Sequence, residues 1–170
     1  MKRVMVIGCP GAGKSTFSRK LQEKTGLPLY YLDMIWHRPD RTNVSREEFD
    51  ERLGEITRRD QWILDGNYLR TMKVRLEASD TVFLLDYPLE VCLEGAVSRI
   101  GKRRGDLPWV ETELDPEFRQ WILDFQKDQM PEIRRLLEQY GVGREVNVFC
   151  SREEGEMYLR QWKAKERKDI

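Results

Sequence analysis

Gly8-Cys9-Pro10-Gly11-Ala12-Gly13-Lys14-Ser15-Thr16 lies between an apolar run, Val4-Met5-Val6-Ile7, and a segment of helical composition over residues 17–24. A strand, a glycine-rich loop and a helix in that order leave few folding alternatives. The glycines admit positive φ and let successive backbone N–H groups converge on an anion. The following helix aims its positive end and its unpaired N–H groups at the same point. The spacing Gly8-x-x-x-x-Gly13-Lys14-Ser15 is that of the phosphate-binding P-loop. In such a loop Lys14 reaches the β- and γ-phosphates of a nucleoside triphosphate, and Ser15 offers its hydroxyl to Mg²⁺. A glycine-rich turn that binds nothing is the alternative, and the strand and helix that flank the loop weigh against it.

At 170 residues the chain has the length of one domain with a sizeable core, so a single unit over 1–170 is expected. Thirty basic residues balance thirty acidic ones, which favours neither direct nucleic-acid binding nor a membrane surface. No apolar run has the length of a membrane span, and residues 1–3 lead into a strand and not into a signal peptide, so a cytoplasmic setting is expected. Cys9, Cys92 and Cys150 are scattered without metal-ligand spacing and read as reduced thiols. Cys9 reads as a small filler of the loop, although its oxidation there would block phosphate entry. His37, the single histidine, reads as a solvent-facing loop residue.

Strand 3–7 and helix 14–25, stopped by Gly26 and Pro28, precede a second apolar run over 29–32 that ends at Asp33. Strand, helix and strand in succession imply parallel pairing with a right-handed crossover. Ligands of such sheets sit beyond the carboxyl ends of the strands. Asp33 lies at such an end, as a site acid or as a turn residue. Residues 34–44, with Trp36, His37, Arg38 and Arg41, show no period and are expected as a loop that grips a flat or anionic second substrate. Ser45 with Glu48 three places on marks a helix start, and Phe49, Leu53 and Ile56 its apolar face.

Gln61-Trp62-Ile63-Leu64-Asp65-Gly66-Asn67-Tyr68 is the second informative stretch. An apolar strand ends there in an acid and a glycine. Mg²⁺ prefers oxygen ligands and keeps much of its hydration, so Asp65 suits a metal-bound water; an Asp-Gly turn is the alternative. Arg70, Lys73 and Arg75 open the next helix as a solvated face or as an anion-capturing cluster. Residues 80–86 read as a buried strand, and Pro88 opens a helix that ends in Arg99-Ile100-Gly101-Lys102-Arg103-Arg104-Gly105. That charge suits the helix dipole, or closure over a triphosphate. Residues 106–116 read as a flap and 117–140 as a long helix, with Pro131 the point at which it would break. A fifth strand over 146–150 and a closing helix over 153–168 complete the chain.

This order of pieces resembles the adenylate-kinase-like branch of P-loop kinases, which takes in nucleoside monophosphate kinases, shikimate kinase and gluconate kinase. Trp62-Ile63-Leu64-Asp65-Gly66 is similar to that group's third strand with its Mg²⁺-associated acid, and Asp80-Thr81-Val82-Phe83-Leu84-Leu85-Asp86 with Pro88 to its fourth. Ser98-Arg99-Ile100-Gly101-Lys102-Arg103-Arg104 is similar to its lid-entry segment. More narrowly, the P-loop taken with Tyr31-Leu32-Asp33, Asp65-Gly66-Asn67-Tyr68 and residues 121–125 resembles the bacterial DNA topology modulation proteins over nearly the whole chain.

The resemblance implies a three-layer α/β fold with a five-stranded parallel sheet in the order 2-3-1-4-5. It also implies an acceptor-binding region over about 33–60 and a short lid over about 101–116. Gly8, Pro10, Gly11, Ala12, Gly13, Lys14, Ser15 and Thr16 are then the residues for ATP phosphates, with Ser15 and Asp65 for Mg²⁺. Arg99 and Arg103 match lid arginines, Ser151 and Arg152 fall near the adenine, and Asp33 falls beside the acceptor hydroxyl with Trp36, Arg70 and Arg75 around the acceptor. Two departures matter. Adenylate kinases carry Asp-Gly-Phe-Pro-Arg where this chain has Asp65-Gly66-Asn67-Tyr68-Leu69-Arg70, with the arginine one place late. The lid holds no cysteine, which excludes a zinc-bound lid. Both shift the expected acceptor from AMP toward a hydroxyl-bearing small molecule. The expected activity is ATP-dependent, Mg²⁺-assisted phosphotransfer to a small molecule or nucleotide. The rivals are a simple NTPase and a regulatory nucleotide-binding protein linked to DNA topology through a partner.

Overall fold

A computed structural model describes residues 1–166. Its strands are β1 (Arg3–Gly8), β2 (Leu29–Tyr31), β3 (Trp62–Asp65), β4 (Thr81–Leu85) and β5 (Glu145–Phe149). All pair in parallel, in the order β2-β3-β1-β4-β5. Every residue of β3 and β4 is buried, as is β1 after Arg3, so these strands read as continuous apolar runs without alternation, as a sheet covered on both faces requires. The register sets Val6 beside Asp65, Asp65 beside Tyr31, Gly8 beside Leu85 and Leu85 beside Phe149, so the carboxyl ends of all five strands form one edge.

Helix α1 (Lys14–Thr25) and the closing helix α8 (Arg152–Glu166) pack on each other and on the sheet. An aromatic cluster joins the layers there. The Phe17 ring on α1 lies 5.0 Å from Phe83 and 5.8 Å from Phe149, and Tyr158 on α8 lies 5.1 Å from Phe83. Helices α3 (Arg46–Thr57), α4 (Leu69–Ala78), α5 (Leu89–Ser98), α6 (Pro116–Asp128) and α7 (Met130–Tyr140) complete the architecture, with α7 against α4 and α6 against α5. Among the described residues no helix is long and apolar enough to cross a membrane.

Three expectations shift. Residues 34–44 are not loop throughout, because Leu32–Trp36 form a short helix, α2, which puts Asp33 in a first helical turn and not at a strand end. Five residues are too few to show a helical period. The helix expected over 117–140, with Pro131 as the point of any break, is two helices that meet two residues earlier, at Gln129. Pro131 has no N–H and its ring would strike the carbonyl four residues back in a continuous helix, whereas the first turn of a new helix accepts it. The fifth strand and the closing helix each begin one residue earlier than expected, and the expected helix end at Lys168 lies outside the described residues.

One contact fixes where the P-loop sits. A Cβ on Gly11 would lie 1.9 Å from the Cys92 carbonyl oxygen, and one on Gly95 of α5 would lie 2.0 Å from the Gly11 carbonyl oxygen. Loop and helix therefore touch backbone to backbone. Gly95→Ala tests this. Alanine favours a helix by about 1 kcal/mol over glycine, yet overpacking costs about 1–3 kcal/mol. An approach of 2.0 Å to main chain calls for the upper end of that cost, so the net loss is about 2 kcal/mol and the thermal unfolding midpoint is expected to fall by roughly 4–8 °C; an equal or higher midpoint would show that the contact is slack.

Candidate active site

The loop between β1 and α1 closes with Ala12 N–H donating to the Cys9 carbonyl at 3.1 Å. Gly13 caps α1 at φ 95°, where a side chain would be strained, and no side chain accepts from the first-turn amides. These amides point at whatever occupies the mouth of the loop. Lys14 Nζ donates to the carbonyls of Gly8 and Cys9 at 2.9 and 3.2 Å, which holds the cation at the rim. Cys9 is buried, and its hydrogen bond with Cys92 together with burial pushes its thiol up, so it is an inert filler at neutral pH.

The turn after β3 is bolted to this loop. Asn67 Oδ1 accepts from Gly8 N–H at 3.0 Å, and Asn67 Nδ2 donates to the Gly8 carbonyl at 2.8 Å. Tyr68 has φ 40°, a left-handed conformation that a bulky side chain rarely adopts. Its hydroxyl donates to Asp33 Oδ1 at 2.7 Å. Burial and the Asp33 charge raise the Tyr68 phenol well above its ordinary range, so it remains a donor. Arg75 holds the turn from behind. It is fully buried, and its guanidinium donates to the carbonyls of Gly66 at 2.9 Å, Asn67, and Tyr68 at 3.0 Å. Burial lowers Arg75 to about 9, which leaves it a cation at neutral pH.

Several expected roles are corrected here. Arg75, expected beside the acceptor, is engaged with backbone carbonyls and does not line the cavity described below. Arg70 is exposed and makes a two-pronged pair with Asp50 at 2.6 and 2.9 Å, away from the cavity described below. Trp36 packs edge-on against Phe49 at 5.7 Å and Tyr68 at 6.4 Å, so it supports the wall from behind. Ser151 accepts from Glu154 N–H at 3.3 Å at the start of α8 and is not a cavity residue. His37 is not free in solvent: its Nδ1 sits 2.8 Å from Asn43 Oδ1 and its ring packs on Trp109 at 5.0 Å.

Residues 101–115, the segment expected as a lid, are irregular and lie against the rest of the fold. Gly101 N–H donates to the Glu111 carbonyl at 2.7 Å and closes the base. Arg104 bridges Asp106 Oδ2 at 3.3 Å and Glu111 Oε2 at 3.1 Å, and Arg99 lies 3.5 Å from the same Glu111 oxygen with its guanidinium over the Phe118 ring. Burial, then the nearby Arg104 charge, lower Arg99. At the tip, Trp109 rests on His37 and under the Arg41 guanidinium, 5.7 Å away.

These pieces enclose a cavity of about 860 Å³. Its walls hold residues 10–16 of the loop, Asp33, Asp65, Arg99, Arg103 and Arg152 among the expected residues. Asn67, Tyr68, Arg104, Asp106, Phe118 and Trp121 also line it and were not expected. Among the described residues no three His, Cys, Asp or Glu side chains are grouped to hold a metal by themselves. The Ser15 hydroxyl and the Asp65 and Asp106 carboxylates nevertheless form an all-oxygen set on one cavity, which suits Mg²⁺ completed by phosphate and water. Asp106 Oδ1, buried without a hydrogen-bond partner among the described residues, fits a cation there.

Asp65 is buried, and its Oδ2 accepts from Ser18 Oγ at 3.0 Å. Burial pushes this carboxyl up to about 7, against the opposing pull of the Lys14 charge and the Ser18 hydrogen bond. An unfolded aspartate releases its proton near pH 4, whereas folded Asp65 keeps it until about pH 7. The folded state thus binds more protons in that window, and this group's contribution to stability falls as pH rises, by up to about 1.4 kcal/mol per pH unit. Urea unfolding of wild type and Asp65→Asn should give curves that diverge between pH 4 and 7, the wild type losing ground; parallel curves would place the titration elsewhere.

No protein-family model matches the chain. It is 31% identical over 144 residues to the adenylate kinase of Mycobacterium leprae, a match that covers 79% of this chain and 68% of that one. With the adenylate kinase of Thermotoga neapolitana it shares 32% over 94 residues, which span 54% of this chain and only 42% of the relative's length. Its fold is that of shikimate kinase from Acinetobacter baumannii in complex with shikimate, with TM-score 0.60 and 18% identity over 97% of this chain and 94% of that one. A gluconokinase from Sinorhizobium meliloti aligns with TM-score 0.53 and 16% identity over 96% and 90%. With the P-loop seated at the end of this sheet and a mycobacterial match of that extent, the chain belongs to the adenylate kinase family of P-loop kinases.

Proposed function

We propose that the chain transfers the γ-phosphoryl group of ATP to a hydroxyl group of a small molecule. One observation carries this reading. A single cavity is lined by the P-loop with Lys14 and by two unlike groups of side chains: the hydrogen-bonded Asp33–Tyr68 pair, and Phe118, Trp121 and Arg152. The second group suits a base and ribose, and the first an acceptor. Arg70 and Arg75, expected at the acceptor, are tied to Asp50 and to backbone carbonyls, and Arg19 is the arginine that lines the cavity beside the P-loop. The Asp33 carboxylate favours a hydroxyl acceptor, which needs a group to take its proton.

In this reading the acceptor oxygen bonds to the γ-phosphorus as the bond to the β–γ bridging oxygen breaks, and ADP leaves with that electron pair. The acceptor proton passes to the Asp33 carboxylate, which the Tyr68 hydroxyl holds in orientation. Lys14, Arg99 and Arg103 face the charge on the transferring group, and the folded lid excludes water. Ser15 and Asp65 would hold Mg²⁺, which supplies neutralisation of the β- and γ-oxygens when bound. We assign residues 33–60 to the acceptor side and 101–116 to the lid of one domain, in a cytoplasmic protein. The narrower resemblance to topology modulation proteins accords with this activity, any link to DNA then running through a partner.

Two outcomes test the proposal. ADP formation screened across nucleoside monophosphates, nucleosides, polyols and sugar acids should rise with a hydroxyl acceptor, and Lys14→Ala should lower kcat by about 10²–10³-fold. Acceptor-independent ADP release would mark a simple NTPase, and silence a regulatory binder. Asp33→Asn should lower kcat by about 10²–10⁴-fold while ATP affinity measured by calorimetry is unchanged; an equal loss of ATP affinity would move Asp33 to the nucleotide side.

A further inference from the structure

The lid carries a carboxylate to the hydroxyl that the P-loop reserves for a divalent cation. Asp106 Oδ2 accepts from Ser15 Oγ at 2.8 Å, across a separation of 91 residues. Asp106 is 8% exposed, and its Oδ1 is buried without a hydrogen-bond partner among the described residues. A carboxylate oxygen in that condition is unfavourable unless a cation or a donor faces it. Arg104 does not serve Oδ1: it touches Oδ2 at 3.3 Å and turns its other terminal nitrogen to Glu111. Lys14 is engaged with the Gly8 and Cys9 carbonyls. Asp33 and Asp65 line the same cavity, together with Lys14, Arg99 and Arg103, none of which donates a hydrogen bond to Oδ1.

The carboxylate is also within reach. Asp106 Oδ2 is hydrogen-bonded to Ser15 Oγ at 2.8 Å. Two oxygens that share Mg²⁺ at about 2.1 Å each lie about 3 Å apart. The Asp106 carboxylate, with Oδ1 unpartnered among the described residues, therefore needs no lid movement to meet an ion at Ser15. We propose that Asp106 is a lid-borne ligand of the nucleotide's divalent cation, so that metal held at Ser15 ties the lid to the P-loop. This deepens the phosphotransfer reading and rests on it. Arg104, braced by Glu111, orients the carboxylate. Because Trp109 three residues on rests upon His37, an anchored Asp106 also keeps the lid tip down on the acceptor side.

The test compares the whole protein with its Asp106→Asn and Asp106→Glu variants. A non-hydrolysable ATP analogue is titrated by calorimetry in EDTA and again in excess Mg²⁺, and Mn²⁺ replaces Mg²⁺ for electron paramagnetic resonance of the complex. Asp106→Asn is expected to lose about 10–100-fold in affinity for the Mg²⁺-loaded analogue. Its affinity for the metal-free analogue should hold or improve, which also certifies the variant's fold. Asp106→Glu should recover part of the loss, and the Mn²⁺ spectrum should change with Asp106→Asn. If Asp106→Asn changes both affinities equally or neither, or the Mn²⁺ spectrum is unmoved, Asp106 is only a latch on Ser15 and the ligand assignment falls while nucleotide binding stands. If the wild type binds the analogue under neither condition, the nucleotide reading falls and takes the assignment with it.

Discussion

Two hydrogen bonds between the Asn67 amide and the backbone of Gly8 join the end of β3 to the start of the P-loop. Through them the P-loop and the Asp33–Tyr68 wall of the cavity share one frame. The wall itself is a turn in which Tyr68 takes a left-handed conformation, and Arg75 steadies it by filling three carbonyls from inside the fold. A buried guanidinium is costly to desolvate, and such a group persists where its donors are matched. Here the two terminal nitrogens are matched by carbonyls of the turn, while Nε is buried without a hydrogen-bond partner among the described residues. The strain at Tyr68 has a direct result, since that backbone geometry sends the phenol to Asp33.

Opposite charges meet in the cavity. Positive charge comes from Lys14, Arg19, Arg99, Arg103 and Arg104, negative charge from Asp33, Asp65 and Asp106, and Arg104 is paired directly with Asp106. Asp65 shows how burial shapes this set: it sits deep beside β1, and its carboxyl titrates near neutrality. A cation arriving nearby would favour its ionised form. The lid is not a passive cover, because its arginines are interlocked through Glu111 and its carboxylate reaches the loop beneath.

The fold was legible because its signals were local. The apolar runs at β1, β3 and β4, the glycines of the loop and the acid at the end of β3 are each read within a few residues, and together they dictate a parallel sheet with its ligands at one edge. What escaped was set by distance or by burial. A basic cluster on a helix reads as solvent-facing, and nothing in its spacing separates Arg75, enclosed by carbonyls, from Arg70, paired on the surface with Asp50. Asp106 looked like one acid among several in an aperiodic flap, and only the folded chain brings it to Ser15. Asn67 and Tyr68 stood inside a stretch already singled out, yet a sequence carries no mark of a left-handed tyrosine. The short α2 had too few turns to show a period, and that moved Asp33 from a strand end into a helix.

The contact between Gly11 and Gly95 has a bearing on how such a site can drift. What collides on either substitution is main chain, the Cys92 carbonyl in one case and the Gly11 carbonyl in the other. A shrinking neighbour therefore cannot rescue a growing one, because neither partner has a side chain to give up. The pair is locked from both directions. Since α5 runs from that contact straight to Arg99 at the root of the lid, the same lock sets the depth at which any future version of the lid must begin.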